Sequence, residues 1–83
     1  MFAVRAVTVA PGDELAYDEA QWSDALVVVQ RGEIELRGVS GASRGFRRGD
    51  LLWLEKVPLA ALRNPGEEPA VLLAIARANT LAV

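Results

Sequence analysis

Turn residues recur along this chain at short and even intervals, and they limit what it can fold into. The clearest of them are Pro11-Gly12, Arg31-Gly32, Gly49-Asp50 and Asn64-Pro65-Gly66. The segments between them are short and rich in Val, Leu and Ile, whereas helical periodicity is weak throughout. Turn signals about every 8–12 residues between such segments are typical of a sandwich or barrel. The sequence therefore predicts an all-β fold.

The segments between the turns are expected to be strands with recognisable faces. In the first of them, Phe2, Val4 and the Ala and Val residues after Arg5 are expected to line the core. A type II turn is expected at Asn64–Glu67, because Pro and Gly suit its second and third residues. The expected strands are Phe2–Val9, Ala25–Gln30, Glu33–Arg37, Arg44–Arg48, Leu51–Glu55, Pro58–Arg63 and Ala70–Ala76, and a turn or two of helix fits only within Glu14–Asp24.

Three of these strands are apolar on both faces: Leu26–Val29, Leu51–Leu54 and Val71–Ile75. In an antiparallel sheet one face is usually exposed to water, so a strand of this kind needs a cover on each side. A chain of 83 residues has little material to supply a second cover. We therefore expect a homodimer through the apolar outer faces of the strands. The alternative is that one irregular fold buries both faces.

The totals exclude several classes of protein. Residues 1–83 are expected to form a single domain, because the chain is near the lower size limit of one hydrophobic core. A net charge of −2 argues against a nucleic-acid partner. With no apolar run near 18 residues and no signal-peptide pattern, we expect no membrane span. The absence of Cys fits a reducing cytoplasm, and the preference for Arg over Lys is associated with GC-rich bacterial genomes.

The turn glycines also follow the spacing of two known motifs. Gly12 and Gly32 are separated as in G-x5-H-x-H-x4-E-x6-G, and Gly49 and Asn64 as in G-x5-P-x-G-x2-H-x3-N. Both motifs belong to the cupin family, and residues 12–75 resemble a cupin. The resemblance implies a small barrel of the double-stranded β-helix, or jelly-roll, type.

The resemblance also identifies four positions where cupins hold a metal ion. In this chain they are occupied by Asp18, Ala20, Ala25 and Ala60. Alanine has no donor atom, so this set is not expected to hold a transition ion, and we expect no metal and no other cofactor. A hard-ion site of Asp18, Glu19 and Asp24 is the remaining possibility, with a solvated acidic loop as the alternative.

Replacing imidazoles by methyl groups leaves room inside the barrel. Trp22 and Trp53 are candidates to fill it, which would leave the barrel packed shut. An open lumen would instead suit a small apolar or amphipathic ligand, with Asp18 as the charged contact. The candidate lumen-lining residues are Tyr17, Asp18, Ala20, Ala25, Val27, Trp53, Ala60 and Leu62.

Other reactive groups offer less. No catalytic residue is assigned, because the chain has no His to activate Ser23, Ser40 or Ser43. The arginines at 31, 37, 44, 47 and 48 either gather on one sheet edge to bind a carboxylate or sugar phosphate, or form cross-strand ion pairs with neighbouring acids. Charged residues also protect sheet edges against aggregation.

Three functions remain open from the sequence. The first is a metal-free, cupin-like binding or assembly module, more in keeping with the missing donor atoms than an enzyme. The second is a metal-independent isomerase or epimerase similar to sugar-modifying cupins, using Tyr17, Asp18 and an arginine. The third is a domain that senses a small ligand and acts through a partner protein.

Overall fold

The computed structural model describes residues 2–22, 25–54 and 57–77, and most of them lie in strands. The all-β prediction is confirmed. The elements in chain order are β1 (Phe2–Val9), β2 (Glu14–Ala16), α1 (Glu19–Trp22), β3 (Ala25–Arg31), β4 (Glu33–Gly38), β5 (Ser43–Arg47), β6 (Leu51–Trp53), β7 (Leu59–Arg63) and β8 (Ala70–Arg77).

The strands form two four-stranded sheets in which all neighbours are antiparallel. Sheet A has the order β1-β8-β3-β6, and sheet B has the order β2-β7-β4-β5. Successive strands mostly alternate between the sheets, as they do in a jelly roll. The terminal strands are β1 and β6 in sheet A, and β2 and β5 in sheet B.

The core lies between the two sheets. In β3 the buried residues Ala25, Val27 and Val29 alternate with half-buried Leu26 and Val28, which gives the strand an inner and an outer face. The same alternation runs along β6 and β8, whereas β1 is exposed from Phe2 to Ala6 and is buried only at Val9. The buried apolar residues of the core cluster are Val9, Trp22, Ala25, Val27, Val29, Ile34, Leu36, Leu52, Leu54, Leu62, Ala70, Leu72 and Ala74.

Strand β1 faces the opposite way from the sequence prediction. Phe2 is 68% exposed and Val4 is 63% exposed, so neither lines the core. Val4 is paired with Ile75, on the face of β8 that points away from sheet B. The inner positions of β1 include Arg5 and Val7. Because a charged residue occupies one of the inner positions, the sequence did not show which face of β1 is turned to the core.

The segment Glu14–Asp24 contains a short strand and one turn of helix. β2 pairs with β7, and Arg37 of β4 forms an ion pair with Glu14 at 3.0 Å. The helical part is limited to α1, and residues 23 and 24 lie outside the described residues. Residues 55–56 and the tail from 78 onward also lie outside them.

The three motif glycines are turn residues with positive φ: Gly12 at 80°, Gly32 at 72° and Gly49 at 95°. Gly32 is the most restricted, because a Cβ there would lie 2.7 Å from the carbonyl oxygen of Pro69. The type II turn predicted at Asn64–Glu67 is wrong, because Gly66 does not have a positive φ. Instead the Asn64 side chain shapes this turn, with its Oδ1 accepting a hydrogen bond from Gly66 N at 2.8 Å.

Candidate functional site

One of the four positions equivalent to cupin metal ligands lies in the core: Ala25 is fully buried on β3. Ala60 is half-buried on β7, where the pairing of β7 with β4 shifts register between Ala61 and Leu59. Tyr17 adjoins Ala60, because its backbone N donates to Ala60 O at 2.9 Å. Both positions carry a methyl group in place of a metal ligand.

The other two positions are exposed and belong to the start of α1. Asp18 Oδ1 accepts a hydrogen bond from Ala20 N at 3.0 Å, and Asp18 O accepts one from Gln21 N at 3.0 Å. An Asp that accepts from the backbone N–H two residues on is a helix N-cap. This structural role accounts for the carboxylate that remains from the metal-ligand set.

The residues at these positions do not fit a transition ion. Three of the four have no donor atom, and the fourth caps a helix. Within residues 2–22, 25–54 and 57–77, no group of three or more His, Cys, Asp or Glu side chains is arranged to hold a metal. Asp24, part of the hard-ion set considered from the sequence, lies outside the described residues.

The two tryptophans occupy opposite environments. Trp22 is 2% exposed and belongs to the core cluster, and the guanidinium carbon of Arg5 lies 5.0 Å from its ring centroid. Trp53 is 55% exposed, because it alternates with buried Leu52 and Leu54. The expectation that Trp53 lines the lumen is therefore corrected: its side chain is on the outer face of sheet A.

The remaining candidate residues surround a closed interior. Val27 and Leu62 are each 1% exposed within the core cluster, and Tyr17 packs against it. Among the described residues, the buried Tyr17 hydroxyl has no hydrogen-bond partner. Burial raises the pKa of this hydroxyl above its ordinary value of 10.0, and the charges of Glu19 and Asp18 raise it further.

The arginines do not gather at one sheet edge as the ligand-binding alternative required. Arg37 is paired with Glu14, and Arg63 lies 3.8 Å from Glu35, both on the outer face of sheet B. A second group of three, Arg31, Arg47 and Arg48, lines a concavity of about 890 Å³ together with three glutamates. Arg44 lies apart from both groups.

The outer face of sheet A is the most apolar exposed surface among the described residues. The strand register places side chains from all four strands on it. Phe2, Val4, Leu51 and Trp53 are each more than half exposed. We call this surface the apolar face. The register gives it Phe2, Val4, Ala6, Thr8, Leu26, Val28, Leu51, Trp53, Val71, Leu73 and Ile75, with Arg31 opposite Val71 at one end and Arg77 opposite Phe2 at the other.

Comparison with known proteins identifies similar folds but no close relative. No family model matches the chain, and no curated protein matches it. A Cupin 2 conserved barrel domain protein from Salinispora arenicola is similar in structure, with a TM-score of 0.69 and 27% identity over 89% of this chain. This chain spans 60% of the length of that protein.

Two further solved structures share the fold at lower identity. A protein from Neisseria meningitidis has a TM-score of 0.66 and 17% identity, covering 93% of this chain and 74% of its own. The Cupin_2 domain of an XRE family transcriptional regulator from Enterobacter cloacae has a TM-score of 0.64 and 22% identity, covering 94% and 83%. The predicted jelly-roll fold is confirmed. Among the described residues, no helix is long and apolar enough to cross a membrane.

Proposed function

We propose that this chain, a cupin-superfamily domain, is a metal-free assembly module that pairs with a second copy of itself through the apolar face. The observation that carries the proposal is the contrast between the two sheets. The outer face of sheet B carries ion pairs such as Arg37–Glu14. On the apolar face, the polar positions that the register gives among the described residues are Thr8 and, at opposite ends of β8, Arg31 opposite Val71 and Arg77 opposite Phe2. Two outer faces so different in chemistry favour different surroundings: water for one and protein for the other.

The apolar face is large enough to be functional. The strands of sheet A are 8, 8, 7 and 3 residues long, and at a spacing of about 4.8 Å they cover roughly 400 Å² in plan. That is comparable with the largest apolar patches of monomers, which are roughly 300–600 Å² and are often functional. A small domain gains proportionally more from covering such a patch, because its own core buries a smaller fraction of its surface.

A second copy is the occupant that fits this face best. A copy related by a two-fold axis brings the same apolar strands against it, which matches apolar surface with apolar surface. Association by this face also leaves the charged face of sheet B in water. We do not propose a catalytic activity for this chain, because the carboxylate of Asp18 is engaged as a helix cap.

The proposal is tested by the oligomeric state in solution. Sedimentation velocity should give a dimer at micromolar concentration, and Val4→Lys should shift it to monomer because two lysines would then be buried face to face. The matched control is Ser43→Lys, also exposed and on a terminal strand, but on the outer face of sheet B. A wild-type protein that stays monomeric, or a Val4→Lys variant that stays dimeric, contradicts the proposal.

A further inference from the structure

A groove separates the two terminal strands β5 and β6, which belong to different sheets and do not pair with each other. Its volume is about 660 Å³, within the range of roughly 300–1,000 Å³ that is typical of small-molecule sites. We call it the edge groove. None of the four positions equivalent to cupin metal ligands lines it, so it is separate from the site that the family motifs describe.

The lining of the edge groove is apolar on most sides and polar at one. Phe46, Leu52, Leu54 and Leu59 contribute apolar walls from three different segments of the chain. The polar side-chain groups among its described lining residues are the hydroxyls of Ser40 and Ser43, the guanidinium of Arg44 and the indole N–H of Trp53. Ser43 is paired with Arg37, so its side chain is on the other face of β5 from that of Arg44. A cavity with apolar walls and a few convergent polar groups favours a ligand that has one polar end.

Arg44 is the charged group of this groove. Its Cα is paired with that of the inner-face residue Leu36, so its side chain extends from the inner face of β5, on the same side as Phe46. The guanidinium carbon lies 5.5 Å from the Phe46 ring centroid. Within the described parts of the chain, no carboxylate is within ion-pair distance of Arg44. An arginine held against an aromatic ring with no acidic partner is available to an anion.

The other concavity of similar size has a different character. The three arginines at 31, 47 and 48 share it with the three glutamates at 33, 67 and 68, so its charges balance. The edge groove instead has a positive group and no acidic side chain among its described lining residues. A negative charge on the ligand is therefore favoured in the edge groove and not in the other concavity.

We propose that the edge groove binds a small amphipathic carboxylate, such as a medium-chain acyl or an aryl acid. The carboxylate pairs with the Arg44 guanidinium, which offers two parallel N–H groups, and accepts a hydrogen bond from the Ser40 hydroxyl. The apolar body of the ligand lies against Phe46, Leu52 and Leu54. This inference is independent of the proposed dimer and stands or falls by a separate measurement.

Isothermal titration calorimetry with sodium octanoate tests the inference on the whole chain. We expect saturable binding of the order of 1 mM or tighter, and a loss of at least about tenfold in Arg44→Gln. Arg44→Lys keeps the charge but loses the two parallel N–H groups and the planar contact with Phe46, so its affinity should lie between those of the wild type and Arg44→Gln. The matched control is Arg47→Gln, on the same strand but in the other concavity, and it should bind like the wild type.

A comparison with octanol distinguishes the contribution of the carboxylate to the affinity from that of the alkyl chain. It has the same chain length as octanoate without the charge, so it should bind at least about tenfold more weakly. Octanol binding as tight as octanoate would overturn the assignment of a carboxylate. No saturable octanoate binding up to roughly 10 mM by the folded wild type would overturn the site altogether. So would an unchanged affinity in Arg44→Gln, which would make Arg44 a residue that only protects the sheet edge.

Discussion

The carboxamide of Asn64 is fully buried and joins three parts of the chain. Its Nδ2 donates to Val9 O at 2.9 Å and to Glu68 O at 2.8 Å, and its Oδ1 accepts from Gly66 N at 2.8 Å. The end of β1 is thereby held to the turn between β7 and β8. A buried polar side chain is stable only when its groups are paired, and here both N–H groups and the oxygen are. The residue that closes the second cupin motif thus has a structural role in this chain.

Asn64→Asp should destabilise the fold by about 3 kcal/mol or more at neutral pH. The new carboxylate cannot donate to Val9 O or Glu68 O and is repelled by both oxygens. Burial beside these acceptors raises the carboxyl pKa in the folded state, so the penalty grows as the pH rises through the ordinary value near 4. Urea unfolding at pH 4 and pH 7, each relative to the wild type at that pH, should show the larger loss at pH 7. Equal losses at the two pH values contradict this.

Tyr17→Phe should leave stability unchanged or raise it by up to about 1 kcal/mol, because the buried hydroxyl has no partner among the described residues. Since the folded-state pKa is raised, this tyrosine contributes stability below pH 10 that is lost as the pH rises through the folded-state pKa. The Tyr17→Phe variant should lack that part of the loss of stability at alkaline pH.

Tyr17 is the only tyrosine of the chain, so its ionisation can be followed directly by ultraviolet absorbance. The titration midpoint should lie above 10.0 in buffer and return to the ordinary value in urea. A midpoint at or below the ordinary value in the folded protein would contradict the burial of the hydroxyl.

At the level of elements, the turn between β3 and β4 depends on Gly32. Gly32→Ala should destabilise the fold by about 2–4 kcal/mol, because it combines a left-handed φ with an approach of 2.7 Å to Pro69 O. Gly45→Ala is the matched control, since Gly45 lacks a positive φ and a Cβ there meets nothing within 4 Å. Denaturant unfolding should show the control within about 1 kcal/mol of the wild type. Similar losses in both variants would count against this account of the turn.

The elements that the sequence predicted are those with a strong local signal. β1 has the predicted bounds, and β3 and β8 were recognised from apolar residues on both faces. β2 was not predicted, because three residues are too few to show an alternation. The turn at Gly66 was misjudged because a side chain, that of Asn64, took the place of a positive φ.

The candidate sites were harder to predict because they depend on strand order. The sequence drew attention to Arg44 and Trp53, but nothing local indicates that β5 and β6 are terminal strands facing each other across a groove. The side on which Trp53 lies also follows from its pairing with Leu26, a residue far away in the chain. Long-range pairing of this kind is not encoded in any single segment.

For the whole molecule, the proposed pairing through the apolar face would make stability depend on protein concentration. The thermal midpoint of the wild type should rise over a hundredfold increase in concentration, because mass action favours the associated folded state. Ser43→Lys should keep this dependence, and Val4→Lys should remove it. Differential scanning calorimetry measures both, and a midpoint independent of concentration in the wild type would show that folding and association are not coupled.

Leu51 and Trp53 belong to the apolar face and also line the edge groove. A ligand that contacts these two side chains from the edge groove would therefore change the surface that they present to a second copy. Ligand binding in the edge groove and self-association through the apolar face would thereby be linked, and such a linkage is mutual. A small acid that strengthens self-association would bind more tightly to the dimer than to the monomer, and one that weakens it would bind less tightly. Such reciprocity would let this domain report the level of a small acid through its quaternary state.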